Sequence, residues 1–186
     1  MDFLLNILTQ DRPSKLILDN EDKIFKLIPE LKLCKNFNQN NIWHIYDVYE
    51  HILHVVDGVS NNIILRLAAL FHDIGKPFVY TQDENGVGHF YGHWDKSKEI
   101  FENFAIKHNL DENLKNTISN LVLYHDLNIG NLNHESLTEL IDLLGKDGVI
   151  MLYELKQSDL LAQNPEFHYL LNDYKKQKEK VLKYFK

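Results

Sequence analysis

Apolar residues recur at helical spacing along almost the whole chain, and one short stretch alone breaks the rhythm. Val48, Ile52, Val55, Val56 and Val59 mark one amphipathic helix, and Ile64, Leu65, Leu67, Ala68 and Phe71 mark the next. The same period returns in Ser97 to Lys107, Leu114 to His125, Leu137 to Leu144 and Asp147 to Leu161, and a lysine-rich amphipathic tail runs from Tyr174 to Phe185. Shorter helices are expected around Leu4 to Leu8 and, with Asn20 as cap, around Ile24 to Ile28. Residues 35–44 are Asn-rich and polar and read as a loop. The exception is residues 78–92, where Asp83-Glu84-Asn85-Gly86 signals a turn between aromatic and β-branched pieces, as in a small hairpin or lid. The expected fold class is all-α, a helical bundle, with residues 1–40 as a helical extension packed on a domain spanning 41–186.

Composition excludes several classes of function. The 186 residues are 44% apolar and 25% charged, enough for a continuous core without disulfides. A formal net charge of -7 argues against a protein that lives by clamping nucleic-acid backbone. One cysteine, Cys34, can neither bridge within the chain nor build a thiolate zinc site. With no secretory signal and no apolar run of about 20 residues, a cytoplasmic protein with no membrane partner is expected.

The chemistry lies in the ionisable residues that interrupt the apolar helices. The run Ala69-Leu70-Phe71 leads directly into His72-Asp73, followed by Ile74-Gly75-Lys76-Pro77. Gly75 is expected in the left-handed C-terminal position, with Pro77 ending the helix. Adjacent imidazole and carboxylate at a helix end suit a divalent cation. His51 lies inside the preceding helix, His93 begins a later one, His125 ends another, and Asp159 stands in the apolar stretch Ser158 to Ala162. Such long separations do not match a zinc finger or a compact protease motif, but a bundle gathers ligands from several helices in this way. His51, His72, Asp73 and Asp159 can surround one ion, leaving His93 and His125 for a second ion or for a substrate phosphate.

The series His51, His72-Asp73 with Gly75-Lys76, and a distant Asp159 resembles the HD superfamily of metal-dependent phosphohydrolases. The segments Pro13-Ser14-Lys15, Ile28-Pro29-Glu30-Leu31, Tyr46 to His54, Leu65 to Pro77 and Tyr91-Gly92-His93 are similar to the HD region of bacterial tRNA nucleotidyltransferases, without a preceding nucleotidyltransferase motif. The resemblance implies His51, His72, Asp73, His93, His125 and Asp159 as metal ligands, with Asp73 bridging. It also implies Asp73 and Lys76 as catalytic groups, Lys76 serving as a cation for a phosphate oxygen. Lys76, His44 and His54 are the candidates for touching substrate. The implied cofactor is one or two divalent ions, with Mn, Fe, Co, Ni, Zn and Mg all compatible with the donor set. The implied reaction is attack of a metal-activated water on a nucleotide or on a terminal or cyclic phosphate of RNA. A non-catalytic helical module that binds RNA or a partner around a structural metal is the competing expectation.

Overall fold

Most of the principal helices begin where the sequence supplies a side-chain acceptor for free backbone N–H groups. A computed structural model describes residues 1–185. Four short helices open the chain, α1 (Asp2–Leu8), α2 (Pro13–Asp19), α3 (Glu21–Leu27) and α4 (Pro29–Cys34). After the irregular residues 35–47 come α5 (Val48–Gly58), α6 (Ile63–Phe71) and the single turn α7 (Lys76–Val79). A hairpin of β1 (Thr81–Gln82) and β2 (Gly88–His89) follows, antiparallel, with Thr81 opposite His89. The remaining helices are α8 (His93–Lys107), α9 (Glu112–Tyr124), α10 (His134–Leu161) and α11 (Leu171–Val181). Asp47 caps α5 by accepting from the Glu50 amide, Asn62 caps α6, Asp111 caps α9 and Asn133 caps α10.

The architecture is the all-α bundle expected, with the hairpin in the stretch where the helical period fails. Its centre is α6, whose residues Leu65 to Phe71 are all buried. A helix buried on all sides has no solvent face, and α6 packs against α5, α8, α9 and α10. The end of such a helix delivers its next residues, His72 and Asp73, to the middle of the protein. The N-terminal helices share this core, since Leu4, Leu8, Ile17, Ile24 and Leu31 belong to the same buried cluster as Val55, Leu67 and Leu155. Arg66, buried on α6, donates from its Nη1 to the carbonyls of Leu8 and Gln10 and so ties the end of α1 to the central helix. Among the described residues no helix is long and apolar enough to cross a membrane.

Several local expectations need correction. The loop expected over residues 35–44 runs on to Asp47, which caps α5, and Ile45 within it projects into solvent. Asn20 precedes α3 without capping it, as its amide donates backward to the Leu16 carbonyl at 2.9 Å. Phe78 and Val79 lie in α7 instead of a strand. The two separate periodic segments Leu137 to Leu144 and Asp147 to Leu161, by contrast, are as expected: Gly145, at φ 62° and ψ 178°, breaks α10 into two helical stretches.

The largest correction concerns Gly75. Its φ of -77° and ψ of -16° are right-handed, and Pro77 sits in the first turn of α7 rather than at a terminus. Glycine is required there for space: a Cβ would lie 2.6 Å from both the His93 carbonyl oxygen and the Ser97 amide nitrogen. The Gly75 amide in turn donates to the buried Ser97 hydroxyl at 2.9 Å, so the residues after His72-Asp73 are pressed onto α8. Gly75→Ala is predicted to lower stability by about 1–3 kcal/mol in urea unfolding, the range for overfilling a packed interior. An unchanged unfolding midpoint would contradict this close approach.

Candidate metal centre

Five elements each contribute to one buried cluster. His51 points inward from α5, His72 and Asp73 follow the end of α6, and His93 is the first residue of α8. His125 caps the end of α9, and Asp159 lies two residues before the end of α10. All four histidines and Asp73 are buried, while the Asp159 side chain keeps 14% of its surface exposed and opens the cluster to solvent.

The two oxygens of Asp73 divide the cluster. Oδ2 lies 3.3 Å from Nε2 of His51 and 3.3 Å from Nε2 of His72, and Asp159 Oδ1 closes that side at 3.0 Å from His51. Oδ1 lies 3.2 Å from Nε2 of His93 and 3.5 Å from Nε2 of His125. His51, His72 and Asp159 therefore form one potential donor group, and Asp73, His93 and His125 another. The six candidate ligands read from the sequence all converge.

Every imidazole in the cluster is oriented in the same way. Nδ1 of His51, His72, His93 and His125 lies 3.3, 2.7, 2.9 and 2.7 Å from the carbonyl oxygens of Ala162, Ala69, Phe90 and Val122. A carbonyl can only accept, so the Nδ1 atoms carry the hydrogens and a neutral ring presents its Nε2 lone pair inward. Facing Nε2 atoms stand 3.3 Å apart in His51 and His72, and 3.2 Å apart in His93 and His125. Lone pairs converging at this distance need a proton or a cation between them. The carbonyl-held Nδ1 is the outer support that metal-binding histidines commonly have. The donor set of imidazole and carboxylate thus fits a divalent ion on either side of Asp73.

Protonation follows from the same geometry. Burial pulls His51 down, but its hydrogen bonds to Asp159 and Asp73 prevail and push it up to about 9. Burial raises Asp73, yet Lys76 and the neighbouring imidazoles hold it well below the ordinary carboxylate range, and Asp159 is lowered mainly by His51 against the same burial. Burial keeps His125 below the usual histidine value.

Lys76 is more deeply placed than a cation at the site mouth. It is 4% exposed, and its Nζ lies 2.7 Å from Asp73 Oδ2, 2.8 Å from Gln39 Oε1 and 3.3 Å from His44 Nε2. His44 accepts from that ammonium, and burial followed by the charge of Lys76 lowers it to about 2, so it stays neutral. His54 is not brought to the cluster. It is exposed, stacks on Tyr46 with ring centroids 4.3 Å apart, and borders a separate depression with Ser14 and Asp57. Three residues beyond His51 it is rotated about 60° around α5, past the edge of the buried face.

Two contributors escaped the sequence reading. Gln39 lies in the Asn-rich loop, where no local pattern singles out its contact with Lys76. Lys156 interrupts the buried face of α10 and donates to the carbonyls of His125 and Leu127, and burial lowers its ammonium. A charged residue at a core phase of a helix was its only signal. A cleft of about 600 Å³ opens over the cluster, walled by Trp43, Phe90, Tyr91, Trp94, Asp173 and Tyr174.

Because His51 holds a proton below about 9 in the metal-free protein and must lose it to bind through Nε2, ion binding displaces that proton. The apparent affinity for a divalent ion is therefore predicted to rise by up to about tenfold per pH unit between pH 7 and 9 and to flatten above. A calorimetric titration in buffers of different ionisation heat measures both affinity and proton release. Affinity independent of pH across that window would contradict the assignment of His51.

The chain is 32% identical over 93 residues to an uncharacterized protein of Clostridium beijerinckii, an alignment that covers 47% of this chain and 57% of the relative. The chain thus spans little more than half the length of that relative. A family model for the HD domain matches residues 42–161, more than half of the chain, including all six convergent residues. The protein belongs to the HD domain family, within the superfamily of metal-dependent phosphohydrolases.

Proposed function

We propose that this chain is a metal-dependent phosphohydrolase that holds two divalent ions on either side of Asp73 and cleaves a compact phosphate ester, with a nucleotide as the favoured substrate. The observation that carries the reading is the convergence of four inward Nε2 atoms on the two oxygens of one buried carboxylate. Divalent ions in such a centre supply Lewis acidity toward a phosphoryl oxygen and toward a water nucleophile.

The protein's own groups do the positioning. The four Nδ1–carbonyl bonds keep the rings from turning, so the donor set is organised before any ligand arrives. Lys76 holds Asp73 ionised and places a cation beside the centre. Asp159, partly exposed, marks the side from which a substrate phosphate enters.

The cleft favours a small substrate over an RNA end. Its lysines, Lys76 and Lys156, are both buried and engaged with protein acceptors, while Asp126 and Asp173 add negative charge to the walls. A longer phosphate backbone needs cations outside the centre, and neither this lining nor the net charge of -7 supplies them. The aromatic groups Trp94, Tyr91 and Tyr174 offer surfaces on which a base can stack. The likeness of Tyr46 to His54 and Leu65 to Pro77 to tRNA nucleotidyltransferase HD regions supports nucleotide-related chemistry. A helical module with only a structural metal would use the same donors but needs no open cleft above them, and this cluster has one.

A screen of nucleoside monophosphates, cyclic nucleotides, phosphodiesters and 3′-phosphorylated RNA against several divalent metals tests the reading. Metal-dependent release from a mononucleotide is predicted, and His72→Ala or Asp73→Ala should lower it at least about 100-fold while helicity by circular dichroism persists. Equal hydrolysis by the parent and these variants would exclude the site. Turnover confined to RNA ends would exclude the substrate assignment.

A further inference from the structure

Helix α10 sends two polar side chains, Lys156 and Asp159, from one face into the same interior, since residues three apart are neighbours on a helix. Asp159 reaches the His51 side of Asp73. Lys156 reaches the other way. It is 4% exposed, its Nζ donates to the His125 carbonyl at 2.5 Å and to the Leu127 carbonyl at 3.0 Å, and the ammonium lies 5.3 Å from the centre of the Tyr174 ring.

The His125 carbonyl belongs to the C-cap of α9, where a helix leaves its last acceptors without partners of its own, and the Leu127 carbonyl to the turn just beyond it. A buried ammonium there satisfies both and lies at the favourable end of the helix dipole. The His125 ring is clamped to α9 by its Nδ1 bond to the Val122 carbonyl, which sets its orientation relative to the helix. The position of the helix end relative to Asp73 is a separate matter, and Lys156 joins that end to α10. An apolar replacement would leave one buried and one partly buried carbonyl without this donor and free the turn that carries His125.

We propose that Lys156 is a positioning residue for the His93–His125 side of the centre. By fixing the end of α9 it keeps His125 Nε2 within reach of Asp73 Oδ1, so that this side holds its ion. The His51–His72–Asp159 side is built from α5, α6 and α10 and does not depend on it. A single face of α10 thereby serves both halves, as a donor to one and as a main-chain clamp for the other. This inference rests on the two-ion reading above.

The test is Mn²⁺ titration of the full chain with bound metal counted directly and the spectrum followed by electron paramagnetic resonance. The parent is expected to bind two ions and to show a coupled pair. Lys156→Met is expected to keep one ion at parental affinity and to bind the second about 10–100-fold more weakly, giving the six-line spectrum of an isolated ion at intermediate metal. His93→Ala, which removes a donor from the same half directly, provides the reference for that loss. If Lys156→Met fails to fold, Lys156→Gln carries the test, because its amide is one bond shorter and cannot span both carbonyls. Two ions bound with parental affinities in the folded variant, or equal weakening of both, would overturn the proposal. A parent that binds fewer than two ions would instead contradict the two-ion reading, and it does so before any substitution is made.

Discussion

The structure depends on the need to satisfy one buried carboxylate. Asp73 lies at the end of the most buried helix, with Lys76 2.7 Å from one oxygen and imidazole nitrogens around both. Removing one partner of such a buried charge typically costs about 3–5 kcal/mol, so the surrounding groups are constrained together. Helix ends are placed accordingly: α6 and α9 stop where His72 and His125 must reach inward, and α8 starts at His93. The backbone carbonyls of Ala69, Phe90, Val122 and Ala162 then hold the rings by their outer nitrogens. Glycine at position 75 follows from the same requirement, because the turn after Asp73 must lie against α8.

What could be read in the sequence was whatever breaks a local pattern. His72-Asp73 ends an apolar helical run, His125 ends another, and Asp159 interrupts a third, so each appears as a polar residue where the period demands an apolar one. The turn Asp83 to Gly86 was likewise local, and the hairpin forms around it. Contacts between distant segments left no such mark. Gln39 reaches Lys76 across the fold, and Lys156 reaches the end of α9, through pairings that depend on how helices pack. Gly75 suggested a left-handed terminus from its position alone, whereas its reason is the nearness of α8. His54 shared a sequence neighbourhood with His51, but helical rotation took it to the opposite side of the edge of the core.

On the proposed function, the cluster reconciles a net acidic chain with chemistry on anions. Net charge of -7 disfavours extended polyanions, whereas the cations Lys76 and Lys156 are buried around the cluster, Lys76 beside Asp73. In the proposed reading selectivity comes from the walls, whose aromatic side chains and acidic groups would admit a compact ester and disfavour a long backbone. The N-terminal helices contribute by bracing α5 and α6, through Ser14 on Asp57 and Arg66 on Leu8, so that two of the five contributing elements are fixed from behind.

The central claim is that two ions sit on opposite sides of one carboxylate. Anomalous diffraction at the absorption edge of a bound transition metal tests it most directly. The account predicts two peaks flanking Asp73, one among His51, His72 and Asp159 and one between His93 and His125. A crystal grown with excess metal that shows no peak within coordination distance of Asp73 would contradict it.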